Sequence, residues 1–453
     1  MKMSSVLAIV AVAALGMSVA GCGTVSNLNP LSKLTGGKKD ANKVKASEGE
    51  RIPLIAFNQK LEVSEALKGQ EFFMPDPQPV TGWPQAGGTP NTWIDNLAAG
   101  AKFQVAWRKD FGVGTSRKTF VTSPPVAAAG KVFVMDADAH VSAFDAGTGD
   151  RVWRADLSQH TRRDNSAFGG GVAFDNGRLY VTSGYRFVAA LDANTGKVIW
   201  RTKVDSPIHS APTVMEGRVL AISVDDELQA YNAETGAADW TYQALTEPAR
   251  ILAASSATPA GDTAIAGFAS GELVALHAAN GNEEWTATLA RTSRTNALSE
   301  IRDIPGRPVV YRGDVLAGSH SGVFMAVDLR TGNPRWTLPV TTITTPWPAG
   351  DVVFIVSQAG EVICAARETG QVYWITDLNK GLKKKKRALW FGPVLASGRV
   401  IVVSDKGQAI ALDPKKGTRT GVLNLGADTQ MPPIGMNGML YAVTEKATLV
   451  AIR

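Results

Sequence analysis

Cysteine and histidine are scarce in this chain of 453 residues, which contains two cysteines and five histidines. Cys22 and Cys364 cannot build the multiple cross-links of a disulfide-stapled domain, and they are far apart in the sequence. The histidines, at positions 140, 160, 209, 277 and 320, do not show the His-x-x-x-His spacing typical of zinc sites. These absences argue against a disulfide framework and against a metal site built from a local motif.

Long segments with the 3.6-residue periodicity of amphipathic helices are also missing, whereas glycine is abundant, at 45 residues. This composition favours many short strands joined by turns. Residues 6–19 form an apolar run that follows Lys2, but the run is too short for a comfortable membrane span. We therefore predict a cleaved export signal over residues 1–21 rather than a transmembrane helix.

The end of this signal, residues 19–22 (Val-Ala-Gly-Cys), resembles the lipobox of bacterial lipoproteins. The resemblance implies that the Cys22 thiol receives a lipid after cleavage, and that several acyl chains then anchor the protein. By the same resemblance, Gly23 favours sorting to the outer membrane, where the protein faces the periplasm. The alternative is an ordinary secretory signal with a coincidental cysteine. With Cys22 lipidated, Cys364 has no partner, and the alternating pattern around it predicts a small buried strand residue.

Residues 22–50 are rich in Lys, Asn, Ser, Gly and Thr, which predicts a flexible tether that begins at the lipidated cysteine. A coil of this length spans roughly 30 Å, enough to hold a folded body clear of the lipid headgroups. Residues 51–100 form an N-terminal extension whose order the sequence leaves open. Its candidates for docking on the folded body are Ile52, Leu54, Ile55, Phe57, Phe72, Phe73 and Trp83. The formal net charge of +6 does not by itself indicate a nucleic-acid partner.

From residue 101 onward one unit recurs, Ala-x-Asp-x-x-Thr-Gly-x-x-x-Trp. Its polar turn residue, its glycine and its aromatic residue are typical of a β-hairpin between two alternating strands. The copies lie at residues 143–153, 190–200, 230–240, 275–285, 326–336, 365–374 (shortened) and 411–422 (degenerate). A second hairpin, Pro-Val-x-x-x-Gly-x-Val-x-Val, occurs in eight variants, at residues 122–134, 169–181, 209–222, 255–267, 306–318, 344–356, 391–403 and 430–443.

The two hairpins alternate, so each pair makes a four-stranded unit. The chain ends after the third strand of the last unit, at residues 448–453, and the missing strand is found at residues 103–107. We therefore predict an all-β fold over residues 101–453, an eight-bladed β-propeller of four-stranded antiparallel blades. An N-terminal strand completes the last blade and so removes both open sheet edges. A β-sandwich would not keep one motif in register for so long, and an open solenoid would not need the exchange of terminal strands.

The repeat resembles that of the PQQ-like propeller family over nearly all of residues 101–453. One branch of that family comprises quinoprotein alcohol and glucose dehydrogenases, and the other includes the BamB lipoproteins of the outer-membrane β-barrel assembly (BAM) machinery. The lipobox, the tether, the length and the near absence of long insertions are similar to the BamB branch. This resemblance implies a non-catalytic scaffold that binds the POTRA domains of the barrel-forming subunit, BamA. Other BAM subunits and unfolded outer-membrane proteins are further implied partners.

A periplasmic PQQ-dependent dehydrogenase remains an alternative, as does a propeller that binds a small molecule or a polysaccharide in its channel. Residues 136–138 and 225–227 offer carboxylates, but only in predicted turns, where carboxylates are routine. Residues 318–322 (Gly-Ser-His-Ser-Gly) resemble a nucleophile elbow but carry His where Ser is needed. Residues 169–171 (Gly-Gly-Gly) lack the Lys-Ser/Thr of a phosphate loop. The sequence therefore predicts no catalytic residue, no metal site and no cofactor beyond the covalent lipid.

Three loops between blades are candidates for partner binding, because each joins a fourth strand to the next first strand and such loops share one face of a propeller. By resemblance, BamB proteins contact the POTRA domains with the first two, residues 246–254 and 296–307. The corresponding residues in this chain are Arg250, Ile251, Leu252, Arg302 and Asp303. The family's Leu-x-Leu-Arg and Asp-x-Asp patterns are only partly present, and the alternative is that both loops simply cap the propeller.

The third loop, residues 380–387, contains a basic run: Lys383, Lys384, Lys385, Lys386 and Arg387. Such a run is commonly only a solvated loop. Because it lies on the same predicted face as the other two loops, we form the hypothesis that it meets an acidic partner surface or lipid headgroups. Its charge would then speed the encounter.

Overall fold

The computed structural model describes residues 61–89, 93–158, 169–247, 255–290 and 301–453. The predicted signal, Cys22, the tether and the candidate residues 250–252 lie outside these ranges. The described residues form 32 strands in eight four-stranded sheets. Short 3-10 turns occur at Glu65–Leu67 and Lys384–Lys386, and no helix in the described ranges approaches the length and hydropathy of a membrane span.

Each sheet is one blade, and in blades 1 to 7 its four strands follow one another along the chain. Blade 1 consists of β2 (Val126–Ala128), β3 (Lys131–Met135), β4 (His140–Asp145) and β5 (Arg151–Asp156), and blade 2 of β6 (Gly170–Asp175), β7 (Arg178–Ser183), β8 (Phe187–Asp192) and β9 (Val198–Lys203). Blade 3 consists of β10 (Thr213–Met215), β11 (Arg218–Ile222), β12 (Glu227–Asn232) and β13 (Ala238–Gln243), and blade 4 of β14 (Thr258–Ala260), β15 (Thr263–Gly267), β16 (Glu272–His277) and β17 (Glu283–Thr288).

Blades 5 to 8 repeat the same pattern, except that the last blade takes its outer strand from the N-terminal side. Blade 5 consists of β18 (Val309–Tyr311), β19 (Asp314–Gly318), β20 (Phe324–Asp328) and β21 (Pro334–Leu338), and blade 6 of β22 (Trp347–Ala349), β23 (Val352–Val356), β24 (Glu361–Ala366) and β25 (Val372–Asp377). Blade 7 consists of β26 (Trp390–Ala396), β27 (Arg399–Ser404), β28 (Gln408–Leu412) and β29 (Arg419–Asn424), and blade 8 of β30 (Ile434–Met436), β31 (Met439–Val443), β32 (Thr448–Ile452) and β1 (Val105–Asp110). The predicted eight-bladed propeller is confirmed.

The hairpins form for local reasons that the repeat encodes. In blade 1 the Asp145 carboxylate accepts hydrogen bonds from the backbone N–H groups of Gly147 and Thr148, at 3.0 and 2.8 Å. These bonds hold the pKa of Asp145 below its ordinary value and close the turn before β5 begins. The same side-chain-to-backbone turn recurs at Asp192, Asn232, Asp328 and Asp413.

The tryptophans of the repeat join neighbouring blades. In each of seven blades the indole Nε1 donates a hydrogen bond to a hairpin carbonyl of the next blade, at 2.7–3.0 Å. These tryptophans are Trp107, Trp153, Trp200, Trp240, Trp285, Trp336 and Trp374. These hydrogen bonds give the tryptophans a structural role at the contacts between blades.

The ring closes where β1 pairs antiparallel with β32, as predicted. At this junction the tryptophan position of β29 is occupied by Gly421, because there is no complete hairpin beyond it to receive an indole. Phe103 fills the space: a Cβ added at Gly421 would lie 3.2 Å from its ring. The Arg399 guanidinium lies over the same ring, 5.6 Å from its centre.

Burial decreases from the inner to the outer strand of a blade. First strands such as β2, β10, β22 and β30 are fully buried, whereas fourth strands such as β9 and β13 are largely exposed. First strands of neighbouring blades contact one another, for example β2 with β6 and β30. The first strands therefore surround the axis of the propeller, and the loops between blades meet at one end of it.

Candidate functional site

The N-terminal extension crosses the propeller axis. We define the axial segment as residues 78–89 and 93–100. Trp83 pairs with Ala127 in the first strand of blade 1, and the Gln85 amide makes two hydrogen bonds, both 2.9 Å long, to the N–H and carbonyl of Val214 in blade 3. The Gln85 side chain thus makes the same two hydrogen bonds to β10 that the backbone of a paired strand would make. Trp83 is 6 % exposed, so its predicted docking is confirmed.

A second set of hydrogen bonds ties the axial segment to blades 5 and 6 through Asp95. The Tyr311 hydroxyl donates to the Asp95 carboxylate at 2.7 Å, and the Trp347 indole donates to the Asp95 carbonyl at 2.7 Å. Trp93 donates in turn to the carbonyl of Pro348 at 2.9 Å. Burial, with the adjacent Asp95 carboxylate, raises the pKa of Tyr311, so this hydroxyl remains a donor at neutral pH.

Docking extends to the rest of the described extension. Phe72 is 8 % exposed and lies against the ring of Tyr373, with ring centres 4.8 Å apart. Phe73 next to it is 60 % exposed, so of the two phenylalanines only Phe72 packs as predicted.

The axial segment leaves a small cavity on the axis, with a volume of about 160 Å³. Its wall is largely apolar and comes from the axial segment and the inner strands: Trp83, Ala86, Gly87, Trp93, Pro124, Ser255, Ser256, Pro305, Arg307, Thr345, Trp347, Pro393, Val394, Pro432, Pro433 and Ile434. Arg307 is the charged residue of this wall. Its guanidinium is buried, and burial lowers its pKa to about 10, so the group is cationic at neutral pH.

The loop that leads into β18 exposes one of the predicted contact residues and buries another. Arg302 is exposed, whereas Asp303 is 4 % exposed and Ile304 is fully buried. The Asp303 carbonyl accepts the N–H of His320 at 2.9 Å, which holds the loop against blade 5. Of the two described candidates, Arg302 presents its side chain to solvent and Asp303 does not.

The basic run lies in the loop between β25 and β26, and all five of its residues are exposed. Asn379 organises the base of this loop: its amide oxygen accepts the N–H of Ala388 at 3.0 Å, and its amide nitrogen donates to the Ala388 carbonyl at 2.9 Å. Leu382 and Leu389, 40 % and 45 % exposed, flank the run. This loop leaves the propeller at the same end as the loop that carries Arg302.

The acidic motif at residues 136–138 has a structural role. The Asp136 carboxylate accepts the N–H groups of Val113, Asp138 and His140, all at 2.9 Å, which stabilises the turn between β3 and β4. The described residues contain no group of three His, Cys, Asp or Glu side chains arranged to hold a metal ion.

Two glycine-rich motifs and Cys364 also take the places predicted for them. Residues 318–322 form the turn between β19 and β20, and residues 169–171 lead into β6. Cys364 is fully buried in β24, which raises the pKa of its thiol.

The family follows from comparison with known proteins. The family model described as "Outer membrane protein assembly factor BamB" matches residues 104–163 and 137–376, together more than half of the chain. The chain belongs to the BamB family. The BamB protein of Burkholderia pseudomallei is 28 % identical over 354 residues, which cover 77 % of this chain and 88 % of that protein. The BamB protein of Shewanella oneidensis is 26 % identical over 277 residues, covering 60 % and 70 %.

Solved structures show the same fold in BamB proteins and in enzymes. BamB from Moraxella catarrhalis superposes with a TM-score of 0.65 at 19 % identity, covering 76 % of this chain and 99 % of that structure. A quinohemoprotein alcohol dehydrogenase from Comamonas testosteroni superposes with a TM-score of 0.61 at 16 % identity, covering 82 % and 80 %. The fold is therefore shared by both branches and does not separate them.

The axial cavity of this BamB-family chain offers few of the features that a quinone cofactor requires. Ligand pockets for molecules of drug size have volumes of about 300–1,000 Å³. The axial cavity measures about 160 Å³ because the axial segment occupies the axis, and it adjoins a second crevice of about 510 Å³. The sequence has no adjacent cysteine pair, and the described carboxylates are not clustered as metal ligands.

The axial residues Gln85, Asp95 and Arg307 were not singled out from the sequence. A weak signal was present in Gly87-Gly88 and in two tryptophans of the extension, since such residues are unusual in a solvated tether. The partners of Gln85 and Asp95 lie more than a hundred residues away in the chain, and those of Arg307 lie 38 and 50 residues away. No local pattern encodes such contacts.

Proposed function

We propose that this chain is a non-catalytic scaffold lipoprotein of the BAM machinery, anchored to the periplasmic side of the outer membrane by a lipid on Cys22. The observation that carries the proposal is the match of residues 104–376 to the BamB family model. The relatives that carry the name are assembly factors of the outer membrane. In this role the propeller supports the folding and insertion of β-barrel proteins by binding the POTRA domains of BamA.

The end of the propeller that carries the loops between blades is the proposed contact surface. Arg302 is exposed there, and Arg250, Ile251 and Leu252 belong to the neighbouring loop. A charged side chain beside apolar residues suits a small, partly polar interface. The side chain of Asp303 is buried, so this residue contributes indirectly, by holding the loop through its backbone carbonyl.

Affinity capture with a matched pair of variants tests this surface. A C-terminally tagged chain is purified from detergent-solubilised envelopes of the source bacterium, and its partners are identified by mass spectrometry. We expect the barrel-forming subunit to co-purify with the wild type and to be reduced severalfold by Arg302→Glu. Arg330→Glu is the control, because Arg330 is also exposed but lies in the β20–β21 hairpin at the opposite end of blade 5.

Two results would contradict the proposal. Capture of no barrel-assembly subunit by the wild type would contradict the scaffold function. Equal capture by Arg302→Glu and the wild type, with loss in Arg330→Glu, would place the contact at the hairpin end.

The basic run supports the same surface through long-range attraction. Five cations on one exposed loop accelerate encounters with an acidic surface, and the acceleration falls with ionic strength. We expect replacement of Lys383, Lys384, Lys385 and Lys386 by glutamine to slow partner association at low salt and to flatten its salt dependence. An unchanged association rate at every salt concentration would remove this role.

A further inference from the structure

Arg307 is a buried cation whose terminal nitrogens have no hydrogen-bond partner among the described residues. It is 9 % exposed, and its Nε donates to the carbonyl of Ala257 at 3.2 Å. Within the described ranges no carboxylate forms an ion pair with Arg307, and its side chain makes one hydrogen bond, from Nε. A buried charge without a counter-ion is costly, so proteins rarely retain one without an occupant or a function.

The residues around Arg307 leave room for its guanidinium. Gly87 of the axial segment faces the guanidinium with a φ of +85°, and a Cβ at this position would collide with Nη1. The backbone N–H of Arg307 donates to the Thr345 hydroxyl at 3.2 Å, which positions the residue at the start of β18. The Gly87 turn and the Thr345 contact thus hold the cation at the wall of the axial cavity.

The remainder of the cavity wall is largely apolar and aromatic, with Ser255, Ser256 and Thr345 as its polar residues. Trp83 and Trp347 lie nearly parallel, with ring centres 6.1 Å apart, and Trp93 meets Trp347 edge-on at 4.9 Å. The guanidinium also borders a second crevice, of about 510 Å³, which shares Gly87, Trp93 and Arg307 with the axial cavity. A ligand suited to this space has one oxyanion and a compact apolar body.

We propose that the axial cavity binds a small organic carboxylate, with its oxyanion on Nη1 and Nη2 of Arg307 and its apolar body among Trp83, Trp93 and Trp347. A planar guanidinium matches a carboxylate with two parallel N–H···O bonds. The volume of about 160 Å³ limits the body to the size of a single ring or a short branched chain. The site is independent of the proposed scaffold function, because it lies on the axis and not on the exposed loops.

Ligand-observed NMR on the purified protein tests the site with two pairs of probes. Benzoate and cyclohexanecarboxylate carry the oxyanion, and benzyl alcohol and cyclohexanemethanol are their neutral counterparts. We expect saturation transfer to both acids and affinities for the acids roughly 10- to 100-fold higher than for the alcohols, the range expected for hydrogen bonds to a charged group. Arg307→Met should abolish this preference, whereas Arg330→Met, at an exposed hairpin position, should retain it.

The comparison between acid and alcohol uses the unaltered protein, so it decides the question even if Arg307→Met does not fold. Binding of neither acid, or equal binding of acids and alcohols, would overturn the proposal. Retention of the acid preference by a folded Arg307→Met variant would also overturn it, since the cation would then serve only to hold the axial segment.

Discussion

A single glycine in each hairpin determines how closely two blades approach. In blade 5, Gly332 has a φ of +69°, and a Cβ there would lie 2.6 Å from Cε3 of Trp285 in the preceding blade. The same indole donates to the carbonyl of Leu329 at 2.8 Å. The glycine therefore serves two purposes, since it permits the left-handed turn and it leaves room for the neighbouring ring.

The effect of the close approach can be separated from that of the turn. We expect Gly332→Ala to lower the thermal unfolding temperature more than Gly313→Ala does. Gly313 also has a positive φ, +82°, but a Cβ there meets nothing within 4 Å. The left-handed conformation costs about 1–2 kcal/mol in either variant, and the clash with Trp285 adds about 1–3 kcal/mol in one of them. Equal unfolding temperatures, measured by circular dichroism, would contradict the role of the indole contact.

The axial segment behaves as an additional element of the propeller that the repeat does not encode. Its side chains replace strand pairing: the Gln85 amide satisfies both backbone groups of Val214, and Asp95 joins Tyr311 to Trp347. Because these bonds reach the inner strands of three blades, the segment narrows the channel and links blades that are not neighbours in sequence.

Loss of the Gln85 amide should loosen this element without unfolding the blades. Gln85→Ala leaves the N–H and carbonyl of Val214 unpaired in a buried position, at a cost of about 1–3 kcal/mol. We expect faster amide hydrogen exchange over residues 93–99, while exchange in β23 and β27 stays unchanged. Gln371→Ala, at an exposed position, is the control. Exchange over residues 93–99 that matches the wild type would show that Gln85 does not hold the segment.

At the scale of the whole molecule, the repeat made the architecture predictable and the contacts of the axis unpredictable. The hairpin at Asp145 follows from neighbouring residues. The contact of Trp153 with the next blade follows from its place in the repeat, and the closing strand follows from counting the repeats. The partner of Gln85 lies in blade 3, and those of Arg307 lie at the starts of blades 4 and 6, so these contacts depend on the assembled ring. The sequence shows that the last copy of the motif is degenerate. That Phe103 occupies the space beside Gly421, where the other copies have an indole, is visible only in the structure.

The proposed membrane anchor also belongs to the scale of the whole molecule. The proposal depends on Cys22, which lies outside the described residues. We expect labelled palmitate to be incorporated into the wild type and into Cys364→Ala, because Cys364 is buried in β24. Cys22→Ala should incorporate none and should appear in the soluble periplasmic fraction. Labelling of Cys22→Ala at the wild-type level would refute the predicted lipid anchor.

Site-specific photo-crosslinking in the source bacterium tests the central claim most directly. A photoreactive amino acid is introduced at position 302, on the end with the loops between blades, or at position 330, on the opposite end of the same blade. The proposed function predicts an adduct with the barrel-forming subunit from position 302 and none from position 330. Adducts from position 330 alone, or from neither position, would contradict a scaffold that binds through its loop end.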